Sequence, residues 1–291
     1  MESASQSLPV EEKNELDQTV TDDTNNPIVD MTFTKELRKA TKDVHRISDV
    51  LVNAKFALAL SDDAVWYDGL LAFYEIYKYL EENLPENLLP REFHRKIAFE
   101  QDLAYFLGKN WKETYEPRDS VKKYIVHLQE VNAKNKLLLF AYAYQMYMAL
   151  MSGGQLLQKK RMIKRKLWFG RQDEDEEEEI KSSNTDADID DLENRPMPRQ
   201  VTICPEGCAA TFFPDKISVL KNKLRQVLND NYGKFDDELR AEFIEESRNV
   251  FIYNGEVVRS IKGVNRANLR KLAIVLVFVM GIYFALKLAK R

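Results

Sequence analysis

Apolar positions recur at helical spacing along most of this chain, in blocks long enough for helices. Thr34 stands as a helix start with Glu36 in the first turn, and Leu37, Thr41, Val44 and Ser48 then fall along one side. WYDGLLAFYEIYKYL, from Trp66 to Leu80, turns Leu70, Phe73, Tyr77 and Leu80 inward. The stretch from Leu88 to Gly108 spaces Phe93, Ile97, Gln101 and Ala104 as one helical face, with Gly108 as its cap. Val121 to Val131 predicts another helix, and two more run from about Asp215 to Leu228 and from Asp236 to Ser260. A further long stretch is LLLFAYAYQMYMALMSGGQLLQKK, Leu137 to Lys160. The pattern predicts an all-α fold in a single helical domain over residues 32–265.

Two positions in this last helix break the local rule. A glycine inside a helix costs about 1 kcal/mol relative to alanine, and Gly153 and Gly154 are adjacent. Missing side chains let a flat group approach the backbone, allow a tight helix crossing, or bend the helix. A second pattern sits on the first helix, where Arg38, Lys42, His45 and Asp49 follow i, i+4, i+7, i+11 and share a face. A histidine with two cations one and two turns below it can ligate a metal while the cations hold acidic groups at the ligand's edge. Iron porphyrin has that layout. An ordinary exposed basic face with an incidental histidine has the same spacing.

Composition changes the picture at the ends and in one insertion. With 10 glycines and 9 prolines in 291 residues, helices are favoured over many short strands. Residues 1–31 are polar and acid-rich, a segment expected to be disordered. A basic run, Lys159 to Arg161 and Lys164 to Lys166, precedes an acidic block from Asp173 to Asp191. Residues 171–203 therefore read as a flexible acidic insertion, and the acidic neighbour argues against nucleic acid as a partner of the basic run. Cys204 and Cys208 exclude a disulfide framework, and their C-x3-C spacing lacks the two further ligands a metal would need. Leu272 to Leu286 contains no charge and is flanked by Arg270-Lys271 and by Lys287, Lys290 and Arg291. As a helix it is about 22 Å long, which predicts a transmembrane tail anchor over 270–291 suited to a thin bilayer such as the endoplasmic reticulum.

KELRKATKDVH (Lys35 to His45), HRKIAFEQDLAYFLG (His94 to Gly108), SGGQLL (Ser152 to Leu157) and FIYN (Phe251 to Asn254) occur in this order. In these motifs the chain resembles the eukaryotic membrane-anchored heme oxygenases, from about Thr32 to Ile261. The resemblance implies heme clamped between a proximal helix carrying His45 and a kinked distal helix carrying Gly153 and Gly154. It implies that heme is both substrate and cofactor, opened to biliverdin with release of carbon monoxide and iron. Electrons would come from NADPH–cytochrome P450 reductase, with biliverdin reductase as a downstream partner, at the endoplasmic reticulum membrane with the domain facing the cytosol. By position, His45 matches the proximal iron ligand. Arg38, Lys42, Lys223 and Tyr144 match the propionate side, and Tyr77, His94 and Asn254 match the distal hydrogen-bond network.

Three departures accompany the match. The family's distal Gly-Asp is here Ala149-Leu150, and leucine can neither donate nor accept a hydrogen bond. A distal arginine is replaced by Met146, and a propionate-pairing arginine four residues after Lys223 is replaced by Val227, with Arg225 on another helical face. These changes predict slow turnover and mixed biliverdin isomers. A second reading is a non-enzymatic heme sensor or buffer that kept the cleft and lost the chemistry.

Overall fold

A computed structural model describes residues 32–56, 59–169 and 204–289. The segment 1–31 and the acidic insertion lie outside the described residues. Described in order are α1 (Thr32–Phe56), α2 (Asp63–Asn83), α3 (Lys96–Leu107), α4 (Trp111–Thr114), α5 (Asp119–Lys134), α6 (Lys136–Ala149), α7 (Gln155–Phe169), α8 (Ile217–Tyr232), α9 (Asp237–Ser260) and α10 (Val264–Ala289). Short 3-10 turns stand at Ala59–Ser61, Arg91–Phe93 and Ala209–Thr211, and no strand occurs among the described residues.

Local chemistry sets the starts. The carboxylate of Asp62 accepts the Ala64 N–H at 3.0 Å to open α2. Asn135 accepts the Leu137 N–H at 2.9 Å to open α6, and Asp236 accepts that of Leu239 at 2.8 Å to open α9. At the start of α3 no side chain of its own cap does this. Glu81 reaches across from α2 instead, its Oε1 accepting the N–H groups of Arg95 at 2.5 Å and Lys96 at 3.1 Å.

The middle of the fold is α6. Every residue from Leu138 to Tyr144 is buried, as are Met146 and Tyr147, because α2, α5 and α9 pack around it. On another side α9 carries α1. Gly255 sits at that crossing, where a Cβ would come within 3.7 Å of Leu51. The glycine pair closes a π-helical turn, Leu150–Gly154, that joins α6 to α7. An extra residue in a turn redirects the helix axis.

Two expectations are corrected. The stretch from Leu88 to Gly108 is not one helix. Phe93 is buried in its own 3-10 turn, so its phase does not carry into α3, where Ile97 is 70% exposed and Phe99, Asp102 and Leu103 are buried. Nor does the expected transmembrane segment find support. Among the described residues no helix is long and apolar enough to cross a membrane. The preceding basic flank belongs to the protein body, since Arg270 pairs with Asp62 at 2.8 Å and the buried Lys271 donates to the Ser61 hydroxyl. Beyond it α10 exposes large apolar side chains, among them Leu272, Val277, Phe278 and Ile282.

Candidate functional site

α1 presents Arg38, Lys42 and His45 as exposed side chains, while Leu37 and Thr41 on the neighbouring face are buried. The imidazole of His45 is about half exposed, and its Nδ1 lies 3.0 Å from Asp49 Oδ2, one turn on. Its ring meets Phe251 of α9 edge-on at 5.4 Å. Holding one nitrogen restrains the ring and leaves Nε2 available as a donor atom. The spacing puts Asp49 on this face, and its i, i+4 relation to His45 is the sequence signal for the contact.

The second candidate surface is α6 and its π turn. A Cβ built on Gly153 meets nothing within 4 Å, so the backbone there faces open space. A Cβ on Gly154 would lie 2.9 Å from Leu150 Cδ1 and 3.6 Å from Thr211 Cγ2, so this glycine makes room for a neighbouring turn. The two glycines serve different ends: Gly153 can admit a flat ligand, and Gly154 permits packing.

Tyr77 and Asn254 meet on Met146. The Tyr77 hydroxyl donates to the Met146 carbonyl at 3.0 Å, and Asn254 Nδ2 donates to Met146 Sδ at 3.3 Å. Asn254 Oδ1 is buried without a hydrogen-bond partner, and so is the hydroxyl of the fully buried Tyr124 on α5. Burial raises the pKa of Tyr124 well above its usual value, with the nearby Tyr77 adding to the effect. Tyr124 was missed from sequence, because nothing in its spacing separates it from a core tyrosine. His94 stands one step away: its Nε2 is 3.2 Å from the Leu89 carbonyl and its Nδ1 is 3.8 Å from Glu81. Glu81 in turn accepts the Tyr147 hydroxyl at 2.7 Å, and the ring of Tyr147 meets Tyr77 edge-on at 5.2 Å.

The rim differs from expectation. Lys223 is half exposed and forms an ion pair with Glu92. Arg225, on another helical phase, donates to Asn222 Oδ1 at 2.8 Å and lies close enough to the buried Tyr144 hydroxyl to act on it electrostatically. Burial pushes Tyr144 up to about 12, while Arg225 and Arg38 pull in the other direction. The inward side of α8 runs through Leu220, Lys221, Leu224 and Leu228, which puts Lys221 one turn before Arg225 and leaves Lys223 pointing elsewhere. Val227 packs against the core.

Phe251 and Asn254, three residues apart on α9, thus touch His45 on one wall and Met146 on the other. An imidazole faces outward, a glycine backbone is open, and Arg38, Arg225 and Tyr144 cluster at an edge. That donor set fits a planar, metal-centred ligand with an acidic rim. On the distal side Met146, Leu150 and Met151 are buried and apolar. Among the described residues no cluster of three or more histidine, cysteine, aspartate or glutamate side chains could hold a bare metal ion, and Cys204 and Cys208 are free thiols.

The fold is all-helical, and its exposed imidazole and open glycine backbone suit a flat prosthetic group. The heme oxygenase family model matches residues 31–260, and the chain belongs to that family. Heme oxygenase 1 of Homo sapiens is 35% identical over 140 residues, covering 44% of this chain and 48% of that protein. The chain therefore spans about half the length of that relative. Heme oxygenase 1 of Bos taurus is 26% identical over 244 residues, 79% of this chain and 72% of its own length. Among solved structures, heme oxygenase-1 from the cyanobacterium Synechocystis in complex with heme has a TM-score of 0.60 at 21% identity, covering 85% of this chain and 98% of that one. Heme oxygenase 2 from Chlamydomonas reinhardtii without heme gives 0.60 and 21%, over 79% and 97%. At that identity the likeness shows the fold.

Proposed function

We propose that this chain binds heme between α1 and the π-turned helix, with His45 as the iron ligand, and opens it slowly to biliverdin. The observation that carries the reading is the pairing of an Asp49-anchored imidazole on one wall with the open backbone at Gly153 on the other. When bound, heme supplies the oxygen-activating iron and is itself the carbon skeleton that is cleaved, releasing carbon monoxide and iron. The chain's own residues bind and orient. Arg38, Lys42 and Arg225 offer cations to the propionates, and Lys221 lies one turn from Arg225 on α8. Tyr77, Tyr124 and Asn254 supply the polar groups of the distal side.

Turnover is slow in this reading because Leu150 and Met146 stand where an acid-held water and an arginine would supply protons. Loss of one such group commonly costs on the order of a hundredfold in rate. Mixed isomers follow from the same apolar distal wall, while Arg225 replaces the rim anchor that Val227 lacks. NADPH–cytochrome P450 reductase is the proposed electron donor, with biliverdin reductase acting on the product. Residence at the cytosolic side of the endoplasmic reticulum goes with these proposed partners, and the apolar side chains exposed from Leu272 onward on α10 offer a contact surface rather than a span.

The test is incubation with heme, NADPH and reductase, followed by chromatography of the pigments. Slow formation of more than one biliverdin isomer is expected, and Leu150→Asp should raise turnover about tenfold or more. A single clean isomer at ordinary family rates would sink the slow-enzyme reading. A stable Soret band without pigment would favour the second reading, a heme sensor or buffer, which the apolar Leu150 and Met146 also suit.

A further inference from the structure

A polar cluster outside the proposed cleft joins α5, α6 and α9. Tyr142 is fully buried, and its hydroxyl donates to Glu246 Oε2 at 2.5 Å. His127 Nε2 lies 2.7 Å from the same hydroxyl oxygen and 3.1 Å from the same carboxylate oxygen, and Asn249 Nδ2 donates to that oxygen at 3.2 Å. The ring of His127 stacks on Tyr253 at 4.6 Å, and Tyr253 stacks on Tyr124 at 4.9 Å. Tyr124 meets Tyr142 edge-on at 5.8 Å. An unbroken set of aromatic rings therefore links the distal side, where Tyr124 lies near Tyr77, to a phenol held between an imidazole and a carboxylate.

A buried phenol cannot lose an electron alone, because the cation left behind is a strong acid and burial penalises its charge. It can do so where a base already holds its proton. Three other tyrosines near the cleft lack such a base. Tyr77 donates to a backbone carbonyl, Tyr124 has no partner, and Tyr144 faces Arg225. Tyr147 does meet Glu81, but two backbone N–H groups at the start of α3 already stabilise that carboxylate as an anion. Tyr74 meets Glu100, which the Lys112 ammonium holds at 2.7 Å. Around Tyr142 no cation other than the imidazole competes for Glu246 among the contacts described.

We propose that Tyr142 is a redox-active tyrosine that donates one electron, through Tyr124, to a strong oxidant arising in the cleft, while its proton passes to Glu246. The step balances: the Tyr142 O–H bond breaks, one electron reduces the oxidant, the proton protonates the Glu246 carboxylate, and a neutral tyrosyl radical remains. The oxidant is of the class formed when a peroxide reacts at bound heme, so this inference rests on the proposed heme site. Its use is to drain oxidising equivalents from a cleft whose Met146 and Met151 are oxidisable.

The test mixes heme-loaded protein with hydrogen peroxide, freezes it within a second and records the electron paramagnetic resonance spectrum. A tyrosyl signal is expected, falling at least threefold in Tyr142→Phe and in Glu246→Gln, with the Soret band of each variant unchanged. An undiminished signal in Tyr142→Phe overturns the proposal. If no Soret band forms on heme addition, the heme reading fails instead. Flash oxidation of the heme-free chain by a ruthenium polypyridyl photosensitiser then decides on Tyr142. A long-lived radical lost in Tyr142→Phe supports it, and equal yields in both proteins overturn it.

Discussion

The separation of Arg225 from Lys223 shows how much one position of helical phase decides. Arg225 reaches the buried Tyr144 hydroxyl, whereas Lys223 turns to Glu92. Arg225→Leu should therefore weaken heme binding about tenfold, the scale of one charge-assisted hydrogen bond. Lys223→Leu should stay within about twofold, because an exposed ion pair contributes little. Absorbance titration of both variants checks the pair, and equal losses would move the rim to the other face of α8. The cationic face of α1 was legible because Arg38, Lys42 and His45 repeat at helical spacing on a helix whose buried side is plain. On α8 the apolar residues are sparser, and a buried lysine at 221 hides the inward direction. Tyr124 could not be read at all, since an unpartnered hydroxyl is a property of what surrounds it.

Among the elements, the helices themselves were readable from periodicity, and the glycine pair was readable as an interruption. What it interrupts was not, because a π turn and a plain bend look alike in sequence. The structure separates the two glycines, and a prediction follows for the first. Gly153→Ala places a methyl group in open space, so folding stability should hold or rise by up to about 1 kcal/mol through better helix propensity. Heme affinity should fall at least tenfold, because the same methyl occupies the ligand's approach. Thermal melting and heme titration on one preparation would show the split, and loss of both together would make Gly153 a packing residue. The face of α3 was misread because a 3-10 turn precedes it, and the cap supplied by Glu81 comes from another helix, beyond the reach of any local pattern.

Across the whole molecule, one buried carboxylate couples stability to acidity. Asp102 of α3 accepts the N–H groups of Ala209 and Ala210, each at 2.8 Å, and so holds the chain that follows the acidic insertion. Burial raises its pKa from 3.8 to about 6, against the lowering effect of those two bonds. The folded protein thus holds this proton more tightly than the unfolded chain does. The associated stability is fully present below about pH 4 and is lost as pH rises through about 6, a change of up to about 3 kcal/mol. Asp102→Asn should remove that decline, seen as a smaller fall in denaturation midpoint between pH 4 and 6 than in the parent protein. Equal slopes would mean that the carboxyl stays ionised throughout. The all-α architecture was open to inspection in the sequence, yet long-range ties such as this one were not, since they join residues more than a hundred positions apart. The same holds for α9, where Phe251 and Asn254 touch opposite walls of the cleft. Three residues of helix span about 4.5 Å, so the aperture is set by a single rigid gauge rather than by two independently mounted jaws. One residue inserted between those positions would turn one contact by about 100° relative to the other, releasing one jaw while every helix stayed folded.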